Sequence, residues 1–200
     1  MVRPPTRVVS DVKVAKLLVD PIKRQILRHL AERELTQKML GEILGMSDPS
    51  VSYHLKELKN AQLIRVVRNE AEAHGILQKF YEANALYFIV DYGAMPPDLR
   101  GYFLTVNLER LRGVFAILRA LKGARISMSS GEMEILADRI AHYLVEVARE
   151  YESHHFGGDR ESLIINLYGD ALQRAIEEDP ASVEPLTSQI SVLGLTRSKR

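Results

Sequence analysis

The chain of 200 residues contains no cysteine and no tryptophan. Without cysteine it can form neither disulfides nor metal sites with thiolate ligands. It also lacks any uninterrupted apolar run near the roughly 18 residues that a membrane span needs. The first ten residues carry Arg3 and Arg7 among prolines and have no apolar segment of the kind found in signal peptides. We therefore expect a cytoplasmic protein that does not bind membranes.

The charge is nearly balanced overall, at +1, but it is unevenly distributed along the chain. Residues 1–90 hold 14 Lys and Arg against 10 Asp and Glu, whereas residues 91–200 hold 13 against 16. A basic segment followed by an acidic one is typical of a nucleic-acid-binding module joined to an assembly or sensing domain.

The first half of the chain predicts short helices followed by a β-hairpin. Capping residues and apolar spacing predict helices that begin near residues 11, 21, 36 and 48. Gly45 is expected to end the third helix in a left-handed conformation. The fourth helix has a single apolar stripe, formed by Val51, Leu55 and Leu58. Two strand-like runs, 63–68 and 76–83, flank a Gly-containing polar stretch and predict the hairpin.

The second half predicts long amphipathic helices. Ser129 and Glu132 form a capping-box signature at the start of the second of them. Apolar residues recur at spacings of three and four, as in helices that pack on other helices. Such a stripe serves either as the core of one helical domain or as a dimer interface, and we expect it to join two subunits. The residues expected at the interface are Leu104, Leu108, Leu111, Phe115, Leu118, Leu136, Ile140 and Tyr143.

The order of helices and hairpin, and two local motifs, resemble ArsR-type winged helix-turn-helix regulators. The first motif runs from Leu18-Val19-Asp20-Pro21 to Leu27, and the second from Leu35-Thr36 through Gly45-Met46-Ser47 and Pro49-Ser50-Val51-Ser52-Tyr53-His54-Leu55 to Ile64. The resemblance covers roughly residues 11–87. It implies a winged-helix fold and binding to double-stranded DNA. With its added helical part, the whole chain is similar to archaeal stress or heat-shock regulators, by analogy of architecture alone.

The fourth helix is the expected recognition helix. Because its apolar stripe is buried, its polar face is forced outward and can enter a major groove of DNA. Tyr53 could instead pack against the hairpin, and the cations of the hairpin could be ordinary solubilising charges. The expected DNA-binding residues are Ser50, Ser52, Tyr53, Lys56, Lys59, Arg65, Arg68, His74 and Lys79.

The sequence shows no enzyme signature, and we expect no catalytic residue, no cofactor and no metal site. Many ArsR-type proteins sense metals through cysteines on the third helix. The third helix of this chain contains no cysteine. His142, His154, His155 and Asp159 do not have the spacing of a helical zinc site. An effector therefore stays unidentified.

The expected fold class is mainly α with a small β-hairpin wing: a winged helix-turn-helix followed by an α-helical dimerisation domain. The expected function is that of a homodimeric, sequence-specific transcription regulator, with repression as the expected sign. Two alternatives stay open: a protein-interaction scaffold that does not bind DNA, and a sensor of small molecules. The expected boundaries are a flexible arm at 1–10, a DNA-binding domain at 11–92, a helical dimerisation or effector domain at 97–179 and a mobile tail at 180–200.

Overall fold

The computed structural model describes residues 3–71, 77–122, 128–181 and 183–184, without the side chains at 118, 119, 121 and 122. Its helices are α1 (Val12–Leu17), α2 (Pro21–Glu32), α3 (Gln37–Leu44), α4 (Asp48–Asn60), α5 (Pro97–Lys122), α6 (Ser130–Tyr151) and α7 (Arg160–Glu178), and its strands are β1 (Thr6–Val9), β2 (Leu35–Thr36), β3 (Ile64–Ala71), β4 (Leu77–Ala83) and β5 (Tyr87–Val90). The predicted fold class is confirmed: the chain is mainly helical, and its small hairpin follows a helix-turn-helix.

Capping contacts confirm the predicted starts of α2 and α3, whereas α4 begins after Ser47 without the predicted side-chain capping hydrogen bond. Asp20 caps α2 by accepting hydrogen bonds from the backbone amides of Ile22 and Lys23, at 2.8 and 3.1 Å. Thr36 Oγ1 caps α3 by accepting from the Met39 amide at 3.2 Å. Each cap satisfies amide groups that the first turn of a helix leaves unpaired. The capping box of α6 is also formed, since the Ser129 amide donates to the Glu132 carboxylate at 2.7 Å.

The strands form two small sheets. β2, β4 and β3 make a three-stranded antiparallel sheet in that order, with a register shift between Val66 and Arg68. β1 pairs in parallel with β5, so that Thr6 lies beside Tyr87 and Val9 beside Val90. The expectation of a flexible arm at residues 1–10 is therefore wrong for Thr6–Val9. Parallel pairing with a strand about eighty positions later along the chain orders this segment.

The chain divides into two compact units. The first contains residues up to Val90 together with Ala148–Ile164, and the second contains Asp91–Val147 together with the described residues from Ile165 onward. The division differs from the expected domains, because the sequence places residues 148–164 in the helical domain, whereas the structure places Ala148–Ile164 in the first unit. In the first unit Ile26, Leu30 and Leu58 are fully buried.

The second unit consists of helical segments around a core of its own. The apolar side chains expected at a dimer interface contribute to that core: Leu136, Ile140 and Tyr143 are buried within one chain, as are Leu108 and Phe115. Leu104 and Leu111 are half-buried, and the side chain of Leu118 lies outside the described residues. The alternative of an ordinary helical core therefore accounts for their burial, and their contact with a second subunit stays a prediction.

Two helical glycines are expected to respond in opposite ways to alanine. A Cβ at Gly41 would lie 3.0 Å from the Met46 carbonyl oxygen, whereas a Cβ at Gly113 would meet nothing within 4 Å. Gly41→Ala should lower the free energy of unfolding by about 1–2 kcal/mol, because the tight turn after α3 must shift. Gly113→Ala should raise it by about 0.5–1 kcal/mol, because alanine favours an open helical position. Urea denaturation measures both, and stabilisation by Gly41→Ala would show that the turn has room.

Candidate nucleic-acid interface

The turn between α3 and α4 sets the direction of the candidate recognition helix. Gly45 ends α3 with a φ of 65°, the left-handed conformation that glycine adopts without strain. The Met46 amide then donates to the Gly41 carbonyl oxygen at 2.9 Å. The chain reverses within a few residues, and α4 begins at Asp48.

α4 has one buried face and one exposed face, as predicted. Val51 and Leu58 are 0% exposed and Leu55 is 2% exposed. Because these positions share one stripe, the intervening polar residues lie on the opposite side of the helix. Tyr53 is 59% exposed, so the structure does not support the alternative that its ring packs against the hairpin. The remaining predicted residues of α4 also reach solvent: Ser52, Lys56 and Lys59 are exposed, and Ser50 is half-buried.

The two lysines of this face carry uncompensated charge. Among the residues that the structure describes, neither Lys56 nor Lys59 has an ion-pair partner. Lys59 lies in the last turn of α4, where the unpaired carbonyl groups of the helix favour a cation. An exposed helical face with free ammonium groups and hydroxyls can contact the phosphates and base edges of a duplex.

A buried lysine ties α4 to α2. The Lys23 side chain is 7% exposed, and its Nζ lies 2.6 Å from an Asp20 carboxylate oxygen and 3.0 Å from a Glu57 carboxylate oxygen. Burial would lower the pKa of Lys23, but the hydrogen bonds and charges of Asp20 and Glu57 outweigh it, and the pKa is raised. Glu57 lies on α4, so this lysine connects the start of α2 to α4.

Glu57 also influences the electrostatics of Tyr53. A side-chain hydrogen bond to Glu57 raises the pKa of the Tyr53 hydroxyl above its ordinary value, and the charge of Glu57 acts in the same direction. The ring centroid of Tyr53 lies 5.9 Å from the Lys23 ammonium. Tyr53, Glu57 and Lys23 therefore share one electrostatic neighbourhood at the surface of α4.

The cations of the hairpin are in a different situation from those of α4. Arg68 donates to Glu34 at 2.7 Å, is ion-paired with Glu70, and places its guanidinium 3.5 Å from the ring centroid of Phe80. Arg65 lies 3.3 Å from a carboxylate oxygen of Glu82. The charge of both arginines is therefore partly compensated by carboxylates of the same chain.

The other predicted hairpin residues are Lys79 and His74. Lys79 is exposed and has no ion-pair partner among the residues described, whereas His74 lies outside the described residues. A DNA contact by any of the four hairpin residues stays a prediction.

No cluster of three or more His, Asp or Glu side chains that could hold a metal ion occurs within the described ranges. His142 lies 3.3 Å from Glu146 one turn away on α6. No helix of the described chain is long and apolar enough to cross a membrane.

Comparison with known proteins adds to this geometry. Residues 20–66 match the family model described as bacterial regulatory protein, arsR family. The HTH-type transcriptional regulator KmtR of Mycobacterium tuberculosis is 39% identical over 66 residues, which are 33% of this chain and 51% of that relative. The chain thus spans about half the length of this curated relative. The resemblance to ArsR-type regulators is confirmed for the helix-turn-helix.

Two solved structures are similar over about half of the chain. Reduced HlyU from Vibrio cholerae has 22% sequence identity and a TM-score of 0.31, over 51% of this chain and 87% of that one. Rv0081 from M. tuberculosis has 22% sequence identity and a TM-score of 0.34, over 52% of this chain and 87% of that one. Neither likeness is close enough to support a statement on function.

Replacing Lys23 by Met tests the network between α2 and α4. We expect the free energy of unfolding near neutral pH to fall by about 1–2 kcal/mol, because two partly exposed carboxylates lose their partner but can be hydrated. The Lys23 hydrogen bond lowers the pKa of Glu57, and for Asp20 the contacts with Lys23 outweigh the opposing effect of burial. Their contribution is thus complete above the unfolded-state pKa values, about 4, and is lost as the pH falls through the lower folded-state values.

Urea denaturation between about pH 3 and pH 7 should therefore show a smaller acid loss of stability in Lys23→Met than in the wild type. Lys13→Met changes an exposed lysine of α1 and should leave both the stability and its pH dependence unchanged. An equal acid loss in Lys23→Met and the wild type would show that this network does not couple stability to pH.

Proposed function

We propose that this chain is a sequence-specific DNA-binding transcription regulator that acts as a homodimer in the cytoplasm and represses transcription. The observation that carries the proposal is the exposed face of α4. It presents Ser52, Tyr53, Lys56 and Lys59 to solvent, while the opposite side of the helix is buried. The match of residues 20–66 to the arsR family model supports it, because this range contains the whole helix-turn-helix. The name of the relative KmtR describes a transcriptional regulator, and we extend that role to this chain by similarity.

The proposed contacts divide into two classes. Lys56 and Lys59 neutralise phosphates and supply affinity without sequence preference. Ser52 and Tyr53, nearer the start of α4, lie where side chains of a recognition helix reach base edges, and they supply discrimination. Arg65, Arg68, His74 and Lys79 of the wing would contact the neighbouring backbone in this arrangement.

The proposed dimer places two copies of α4 about one turn of DNA apart, as a two-fold operator requires. The helical unit offers two sets of apolar residues for such an interface. The first is the stripe predicted from the sequence, much of which is buried within one chain. The second consists of side chains that are exposed in one chain: Val114 at 52%, Ile117 at 60%, Ile135 at 55%, Ile165 at 71% and Ile176 at 39%.

Titration of labelled genomic duplexes, including the promoter of the chain's own gene, tests DNA binding. We expect tight binding to particular fragments, with an affinity that falls steeply as salt rises. Lys56→Ala should weaken binding several-fold on all sequences and reduce the slope of log affinity against log salt by about 0.9 for each lost phosphate contact. Ser52→Ala should instead reduce discrimination between fragments and leave that slope unchanged.

Lys13→Ala removes an exposed lysine outside the helix-turn-helix and serves as the matched control, with no expected change in slope. Sedimentation in the same buffer gives the oligomeric state, and a promoter-reporter assay gives the sign of regulation. If the wild type binds all duplexes equally weakly, or not at all, the regulator proposal is refuted. The alternative of a winged-helix scaffold for other proteins would then account better for the fold.

A further inference from the structure

The short strand β1 contacts different parts of the chain with successive residues. Thr6 is 0% exposed, and its hydroxyl donates to the Ala148 carbonyl oxygen of α6 at 2.6 Å. The Val8 amide donates to the Glu152 carboxylate, just beyond the end of α6, at 2.5 Å. Because neighbouring side chains of a strand point to opposite faces, Arg7 points away from the side chains of Thr6 and Val8. β1 is therefore attached to the end of α6 at two points.

The Arg7 side chain reaches the end of the recognition helix. Its guanidinium donates to the carbonyl oxygen of Gln62, which follows α4. Asn84 Nδ2 donates to the same oxygen at 2.6 Å. One backbone carbonyl thus receives side-chain donors from β1 and from the segment between β4 and β5.

Gln62 follows Ala61, the C-cap residue of α4. Its φ is 55°, a conformation that residues other than glycine rarely adopt. Its amide donates to the Lys59 carbonyl oxygen and the Leu63 amide donates to the Leu58 carbonyl oxygen, both at 2.9 Å. This pair of bonds is the Schellman arrangement, usually completed by glycine. The donors on the Gln62 carbonyl hold a non-glycine residue in the position that fixes the end of α4.

We infer that β1 is a mechanical link between α6 and the recognition helix, and that Arg7 is a positioning residue for α4. A displacement of the end of α6 moves β1 through Thr6 and Glu152, and Arg7 carries the movement to Gln62. The parallel pairing of β1 with β5 keeps the strand in register while this happens. The consequence for DNA affinity rests on the proposed function, whereas the mechanical link itself does not.

Hydrogen exchange of the full-length protein without DNA tests the link. Arg7→Ala should speed exchange of the Gln62 and Leu63 amides roughly threefold to tenfold, the effect of losing one hydrogen bond on a local opening equilibrium. Arg7→Lys retains a donor and should restore much of the protection. Arg24→Ala, which changes an exposed arginine of α2, is the matched control and should leave exchange at Gln62 and Leu63 unchanged.

A pair of variants at Thr6 tests transmission from α6. Thr6→Val keeps the branched shape but loses the hydroxyl bond to Ala148, so exchange at Gln62 and Leu63 should again rise, about twofold or more. Thr6→Ser keeps the hydroxyl and should stay close to wild type. If Thr6→Val speeds exchange only in β1, β5 and α6, or if Arg7→Ala leaves the Gln62 and Leu63 amides protected, the link is refuted.

The salt dependence of duplex binding shows whether Arg7 positions α4 or contacts DNA directly. Arg7→Ala should weaken binding several-fold with the salt slope of the wild type, because no phosphate contact is lost. If Arg7→Ala instead reduced the slope of log affinity against log salt by about 0.9 for each Arg7 that binds DNA, Arg7 would be a phosphate-binding residue. That result would overturn its assignment as a positioning residue. If the wild type binds no duplex, the proposed function fails, and the exchange results still decide whether β1 links α6 to α4.

Discussion

The position of α4 is the constraint on which the rest of the first unit depends. The turn at Gly41 and Met46 fixes its start, and the buried stripe of Val51, Leu55 and Leu58 fixes its rotation. Apolar burial alone is not directional, so it leaves a helix free to slide and tilt by small amounts. The polar contacts remove this freedom, because hydrogen bonds depend on distance and angle.

Two of these polar contacts act at different places along α4. Lys23 holds the helix through Glu57, and Arg7 holds the carbonyl group of Gln62 beyond its end. A largely buried lysine between two carboxylates is costly to desolvate, so its contribution to stability is modest compared with its effect on geometry. Glu57 in turn raises the pKa of the Tyr53 hydroxyl. The position of α4 therefore depends on residues that do not lie on its exposed face.

Much of the first unit follows from local sequence signals. Asp20-Pro21, Thr36 and Gly45 mark helix ends through the chemistry of capping, which depends only on neighbouring residues. The polar face of α4 follows from the position of its apolar stripe. The strand β1 could not be predicted in this way, since its partner β5 lies far along the chain and parallel pairing leaves no turn between them.

The ion-pair partners of the hairpin arginines also cannot be predicted from the sequence. Arg65 and Arg68 look like free cations in the sequence, but the strand register brings Glu82 opposite Arg65, and the fold brings Glu34 to Arg68. The amphipathic stripes of α5 and α6 were ambiguous for a related reason. A helix that packs on its own chain and one that packs on a second subunit require the same apolar spacing.

The distribution of paired and unpaired cations has a consequence for recognition. Arg65 and Arg68 of the hairpin are paired with nearby carboxylates, whereas Lys56 and Lys59 of α4 are exposed and have no ion-pair partner among the described residues. If these lysines bind phosphate as proposed, affinity depends on the orientation of α4, because the distance between ammonium and phosphate groups sets the electrostatic energy. In the proposed complex, contacts that shift α4 slightly change affinity without touching DNA. In the proposed link such control begins at the last turn of α6, because the carbonyl of Ala148 accepts the Thr6 hydroxyl of β1 within the first unit.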